Sequence, residues 1–179
     1  MLKLGVLTSR PHAPGLDVVL AHHEVACMVS TNTRPDDAVT RDLFLAAGVD
    51  VVLLLGYIYI VREPLLSAFP ILNIHDSDLR ITRPNGERRY IGLRSTRDAI
   101  LAGEKETRST LHVVTEKLDG GPIVSVSRAY PVAPFVHDAA AAGHTDIVKA
   151  YAYAQREWMM RDSWGEMLVE ALARKEVAA

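Results

Sequence analysis

Cysteine is nearly absent from this chain of 179 residues. The lone Cys27 excludes an internal disulfide framework and offers no zinc-binding pattern. It fits a reducing compartment. No strong charge of either sign is present. The formal net charge of −2 points to no polyanionic partner, so neither nucleic acid nor a membrane surface is expected. No apolar run is long enough to span a bilayer; the longest, Val49 to Val61, falls well short. The opening MLKLGVLTSRPHAPG lacks the apolar stretch of a signal peptide. Repeats, low-complexity segments and linkers are lacking too. The expectation is a soluble, cytoplasmic protein forming one domain over 1–179. Its 49% hydrophobic content is enough for a real core.

What is present is an alternation of strand-like and helix-like segments. Leu2 to Thr8 reads as a strand, broken by the two prolines of SRPHAPG. Gly15 to His23 reads as a short helix and Val25 to Thr31 as a buried strand. Asp36 to Ala47 carries Val39, Leu43 and Ala46 at helical spacing, with Gly48 at its end. VDVVLLLG is a continuous apolar strand, the mark of a sheet covered on both faces. Glu63 to Phe69 reads as helical, and ILNIH as another buried strand. Alternation of this kind implies βαβ units and an α/β fold with a mostly parallel sheet.

The second half differs in texture. LRITRPNGERRYIG carries Asn85-Gly86 between extended residues, which predicts a protruding, arginine-rich hairpin. Arg94 to Ala102 reads as a helix closed by Gly103, STLHVVTE as a strand, LDGGP as a tight turn and PIVSVSRAYPV as a neighbouring strand. A C-terminal helical segment is expected over about 146–175, with Tyr151, Ala154, Trp158, Arg161, Trp164 or Gly165, Leu168 and Leu172 on its apolar stripe.

The segment ILNIHDSDL ends an apolar strand in Asn73, His75 and two aspartates. In parallel sheets ligands bind beyond the carboxyl ends of the strands. Taken alone, Asn73 reads as a turn former and His75 as a core histidine. They gain meaning from company: LLLGYIYI, then NIH, then YIGLRSTRDAILAG, then TLHVVTEKLDGGPI. In this order the four pieces resemble the folate-dependent formyltransferase superfamily, which includes glycinamide ribonucleotide and methionyl-tRNA formyltransferases and the sugar N-formyltransferases.

That resemblance implies a Rossmann-like, mostly parallel twisted sheet flanked by helices, with a C-terminal helical element. It implies transfer of a formyl group from 10-formyltetrahydrofolate to a primary amine of a small metabolite: an amino sugar, an amino acid derivative or glycinamide ribonucleotide. No metal is implied. It places Asn73, His75 and Asp119 at the family's catalytic positions. The residue types suit the chemistry, because an amide and an imidazole donate to a developing oxyanion and a carboxylate moves a proton and orients the ring. The donor would lie against main-chain groups of Tyr57, Ile58, Tyr59 and Ile60, and of Val114, Thr115, Glu116 and Leu118. Arg10, Arg80, Arg83, Tyr90 and Gly92 are candidate substrate-binding residues; the hairpin arginines read either as a solvated patch or as a clamp for a phosphate or carboxylate of the substrate or for the folate glutamate tail. His112 reads as packing beneath the site.

The chain departs from the family where the acceptor is chosen. The expected Gly- and Ser-rich phosphate loop reads SRPHAPG, a hairpin follows NIH, and the segment before VDVVLLLG is about one βα unit shorter. The substrate wall is therefore thin or supplied by a second chain, so a homodimer is compatible with the sequence. Two rival readings remain: a formyltetrahydrofolate hydrolase, and a non-catalytic folate- or nucleotide-binding homologue.

Overall fold

Two prolines and a glycine after the first strand turn the chain off the sheet, and Ala13 and Leu16 then pack against the core cluster that contains Leu4 and Val6. The computed structural model describes residues 2–174. In chain order, β1 (Lys3–Thr8), α1 (Leu16–Leu20), β2 (Glu24–Ser30), α2 (Asp37–Ala47), β3 (Val51–Leu54), α3 (Leu65–Ala68) and β4 (Ile71–His75) form the first half. The second half comprises α4 (Ser95–Leu101), β5 (Glu106–Thr107), β6 (Thr110–Val113), β7 (Ile123–Val126), β8 (Tyr130–Pro131), α5 (Pro134–Ala141) and α6 (Thr145–Ala173).

Six strands make one sheet in the order β2-β1-β3-β4-β6-β7. β1 pairs in parallel with β2 and β3, and β3 with β4, whereas β6 pairs antiparallel with both of its neighbours, β4 and β7. β5 and β8 form a separate two-stranded ribbon. The fold is α/β with a mostly parallel sheet flanked by helices. Chain direction across the sheet switches between β2 and β3, on either side of β1, and ligand crevices open at such a point.

The apolar runs follow from burial on both faces. Leu4 and Val6 of β1 and Val51 and Leu53 of β3 pack with Trp164, Met160 and Leu168 of α6. The alternate residues Leu7, Val52 and Leu54 pack with Phe44 of α2 and with Leu65 and Phe69 on the opposite face. Helix α2 starts where Asp36 accepts from the main-chain N–H of Ala38 (2.9 Å) and Val39 (3.0 Å), and ends at Gly48 with φ 68°. Such a cap contributes about 1 kcal/mol.

Five expectations change. PIVSVSRAYPV, read as one strand, divides into β7 in the main sheet and β8 in the ribbon. β2, read as buried, is an edge strand with Glu24, Met28 and Ser30 exposed. The Asn85-Gly86 hairpin reduces to one antiparallel bridge, Thr82 to Arg88. Only Gly86 has positive φ (79°), and its N–H donates to the Arg83 carbonyl at 2.9 Å. Pro84 fixes the first turn position near φ −65°, so the turn adopts a three-residue form with Gly86 left-handed, in place of two positive-φ residues. The apolar stripe of α6 is shifted in its first half. Val148, Ala152, Gln155 and Met159 are buried, while Ala154, Trp158 and Arg161 are exposed. Helix α5, started by Pro134, has no counterpart in the sequence reading. Lys175, the expected end of the last helix, lies outside the described residues.

Candidate active site

Asn73 and His75 are two apart on β4, so their side chains leave the same face of the strand. The intervening Ile74 turns into the core. His112 sits directly opposite Asn73 on β6. Its Nδ1 lies 2.9 Å from the Val113 carbonyl, which fixes the proton there. In the neutral ring its Nε2 accepts from the Asn73 amide at 3.1 Å, leaving the second Asn73 N–H free to serve a ligand, whereas the protonated ring presents a charge to Asp119. His75 Nε2 donates to the Tyr90 carbonyl at 2.9 Å, and that carbonyl also accepts from the Ser77 hydroxyl at 2.6 Å. The Nδ1 edge of His75 therefore faces the cleft.

Asp119 arrives from the LDGG turn after β6. It has φ 48°, the only positive value among the described non-glycine residues. Oδ2 of Asp119 is 3.5 Å from His75 Nδ1, and Oδ1 is 3.7 Å from His112 Nε2. The Gly92 N–H donates to Oδ2 at 2.8 Å. Burial works to raise the Asp119 carboxyl, but His112, His75 and the Gly92 N–H outweigh it and hold the group below its ordinary value.

The turn itself is clamped. Arg88 donates to the Asp119 carbonyl and, at 2.8 Å, to the Gly121 carbonyl. A Cβ on Gly121 would lie 1.9 Å from the Val113 carbonyl oxygen, so only glycine permits this close return of the chain. The sequence places Arg88 in the expected protruding, arginine-rich hairpin. Its role as a carbonyl clamp, like the pairing of His112 with Asn73, depends on strand register and carries no local signal.

Asn73, His75, Gly92, His112 and Asp119 line a cavity of about 490 Å³. All of Tyr57 to Ile60, Val114 to Glu116, and Leu118 line it as well. Ile58, Ile60 and Leu118 expose apolar surface there. Burial, with the Asp37 carboxylate nearby, pushes the Tyr57 phenol up to about 12, so it remains a neutral donor.

A second cavity of about 1070 Å³ lies under the SRPHAPG loop and along α6. Gly56, Ile58 and Arg156 border both cavities. Arg10 lines the larger one and is held by Glu157 at 2.7 Å. Arg156 pairs with the buried Asp76. Burial pushes the Asp76 carboxyl up, while Arg156, His75 and Arg10 pull against it. Of the other candidate substrate-binding residues, Gly92 borders the smaller cavity, and Tyr90 contributes its carbonyl to His75. Arg80 is turned to Asp78 at 2.7 Å, and neither it nor Arg83 borders these two cavities. Among the described residues, no group of three or more His, Cys, Asp or Glu is placed to hold a metal ion. No described helix is long and apolar enough to cross a membrane.

An amide, two imidazoles and a carboxylate around one cleft at strand ends define a class of acyl-transfer site. Residues 4–150 match the family described as formyl transferase, and the chain belongs to that family. Phosphoribosylglycinamide formyltransferase of Haemophilus influenzae is 36% identical over 107 residues, covering 59% of this chain and 46% of that protein. The chain thus spans about half the length of that curated relative. The crystal structure of glycinamide ribonucleotide transformylase 1 from Symbiobacterium toebii aligns with a TM-score of 0.63 at 28% identity, over 89% of this chain and 86% of that one. HypX from Aquifex aeolicus, solved in complex with tetrahydrofolic acid, shares the fold at a TM-score of 0.64 and 16% identity, over 98% of this chain and 27% of that one.

Proposed function

We propose that the chain transfers a formyl group from 10-formyltetrahydrofolate to the primary amine of a small metabolite. One observation carries this reading: Asn73, His75 and Asp119, contributed by a strand end and a distant turn, meet at a single cavity. The cavity size suits a bicyclic ring, and its wall of main chain and exposed isoleucines suits a flat, partly apolar group.

In the reaction the amine nitrogen bonds to the formyl carbon, the carbon–nitrogen bond to the folate breaks, and the nitrogen that leaves takes a proton. The ammonium acceptor loses two protons overall, one going to tetrahydrofolate and one to solvent. The free Asn73 N–H serves as donor to the formyl oxygen as it gains charge, joined by the His75 Nδ1–H when the ring carries its second proton. Asp119, beside His75 Nδ1, orients the ring and relays a proton. The Arg88 clamp and the Gly92 N–H keep that carboxylate in place.

The relatives named for glycinamide ribonucleotide make that amine the first acceptor to test, ahead of amino sugars and amino acid derivatives. The expected cytoplasmic location and the homodimer belong to the same proposal. The test is transfer of isotope-labelled formyl from 10-formyltetrahydrofolate to a panel of primary amines. Label in an amine supports the reading. Release of labelled formate alone, whatever amine is present, would favour hydrolysis instead.

A further inference from the structure

Asp76 is a buried carboxylate that the chemistry above does not use. It follows His75 directly, yet it is only 9% exposed. Its carbonyl is anchored by the Thr96 hydroxyl at 2.7 Å, so its backbone is set by α4 as well as by β4. One carboxylate oxygen, Oδ2, receives the Arg156 Nε–H. The other, Oδ1, is buried with no hydrogen-bond partner among the described residues. Leaving a carboxyl oxygen buried and unmatched is costly, and such groups call for an explanation.

Its location suggests one. Asp76 borders the smaller cavity together with Asn73 and His75, and its partner Arg156 borders both cavities. The nearby Arg10 is engaged by Glu157 and does not compete for Oδ1. An acceptor lying in the larger cavity must pass its amine across this boundary to reach the formyl carbon. We propose that Asp76 Oδ1 receives the ammonium group of the acceptor and holds its nitrogen beside Asn73 and His75, so that the site selects primary amines over neutral isosteres. This rests on the formyl-transfer reading for its purpose, but the binding it describes stands apart from turnover. The Arg156 guanidinium offsets the Asp76 charge between acceptors, and Oδ1 retains the lone pairs that an N–H requires.

The experiment is ligand-observed NMR with the full chain, comparing glycinamide with its hydroxyl isostere glycolamide. Wild type is expected to bind glycinamide about tenfold or more tightly than glycolamide. Asp76→Asn should abolish the preference, whereas Arg156→Gln, which leaves Asp76 in place, should keep it. A merely structural ion pair would make both variants behave alike, and that result overturns the proposal. So does a wild type without preference, which decides the matter even if Asp76→Asn does not fold. A wild type that discriminates but transfers no formyl group supports the ammonium site and contradicts the proposed function. Formyl transfer with an acceptor KM unchanged in Asp76→Asn contradicts the ammonium site alone.

Discussion

Arg88 donates to the main-chain carbonyl of Asp119, tying the arginine-rich turn to the peptide that carries the site's carboxylate. The same guanidinium reaches Gly121, so two carbonyls of the LDGG turn depend on one side chain. Charge-assisted bonds of this kind each contribute about 1.5–3 kcal/mol. Arg88→Ala is expected to lower unfolding free energy by about 2 kcal/mol and to slow turnover by about 10²-fold, since small misplacements of a reacting group have effects of that size. Denaturant titration and steady-state kinetics check it. A variant as active as wild type would show that the clamp does not position Asp119.

Gly121→Ala makes a sharper demand. The added methyl would meet the Val113 carbonyl oxygen at 1.9 Å, and main chain cannot yield as a side-chain tip does. The turn must move away from β6, taking Asp119 with it. A stability loss of about 3 kcal/mol or more and collapse of turnover are expected. A thermal melt close to wild type would contradict the described packing.

Acid titration probes Asp119 without kinetics. Its folded value lies below its ordinary value of 3.8, because the histidines and the Gly92 N–H favour the ionised form. That preference stabilises the fold fully above about pH 3.8 and is lost as the pH falls through the lower folded value. Urea midpoints of wild type and Asp119→Asn should therefore differ at neutral pH and converge below pH 3.8. A gap that widens on acidification would mean the group is raised in the folded state.

Much of this was legible in the sequence, for reasons tied to particular residues. β1 and β3 announce themselves because burial on both faces removes every polar residue from Leu4 to Leu7 and from Val51 to Leu54. Asp36 and Gly48 mark α2 because capping chemistry is local. Asn73, His75 and Asp119 could be singled out because a distinctive order of motifs linked them. Gln155 could not. It is buried in α6 because its amide donates to the Thr107 hydroxyl and to the carbonyls of Tyr130 and Pro131, partners that only the folded chain assembles. An apolar stripe drawn through Ala154 and Trp158 misses it. His112 was assigned beneath the site because nothing in TLHVV shows which residue of β4 it will face. The turn at Pro84 was misread because the dipeptide Asn-Gly was weighed without the proline before it.

The central claim is that the free Asn73 N–H stabilises charge on the formyl oxygen. The most direct measurement is single-turnover transfer of labelled formyl from 10-formyltetrahydrofolate to an amine acceptor, comparing wild type with Asn73→Ala. Folate affinity is measured alongside by equilibrium binding. Loss of one such donor slows turnover by about 10²–10³-fold. The expected result is a rate reduced by that factor with folate affinity little changed. Equal transfer rates in the two proteins would contradict the account.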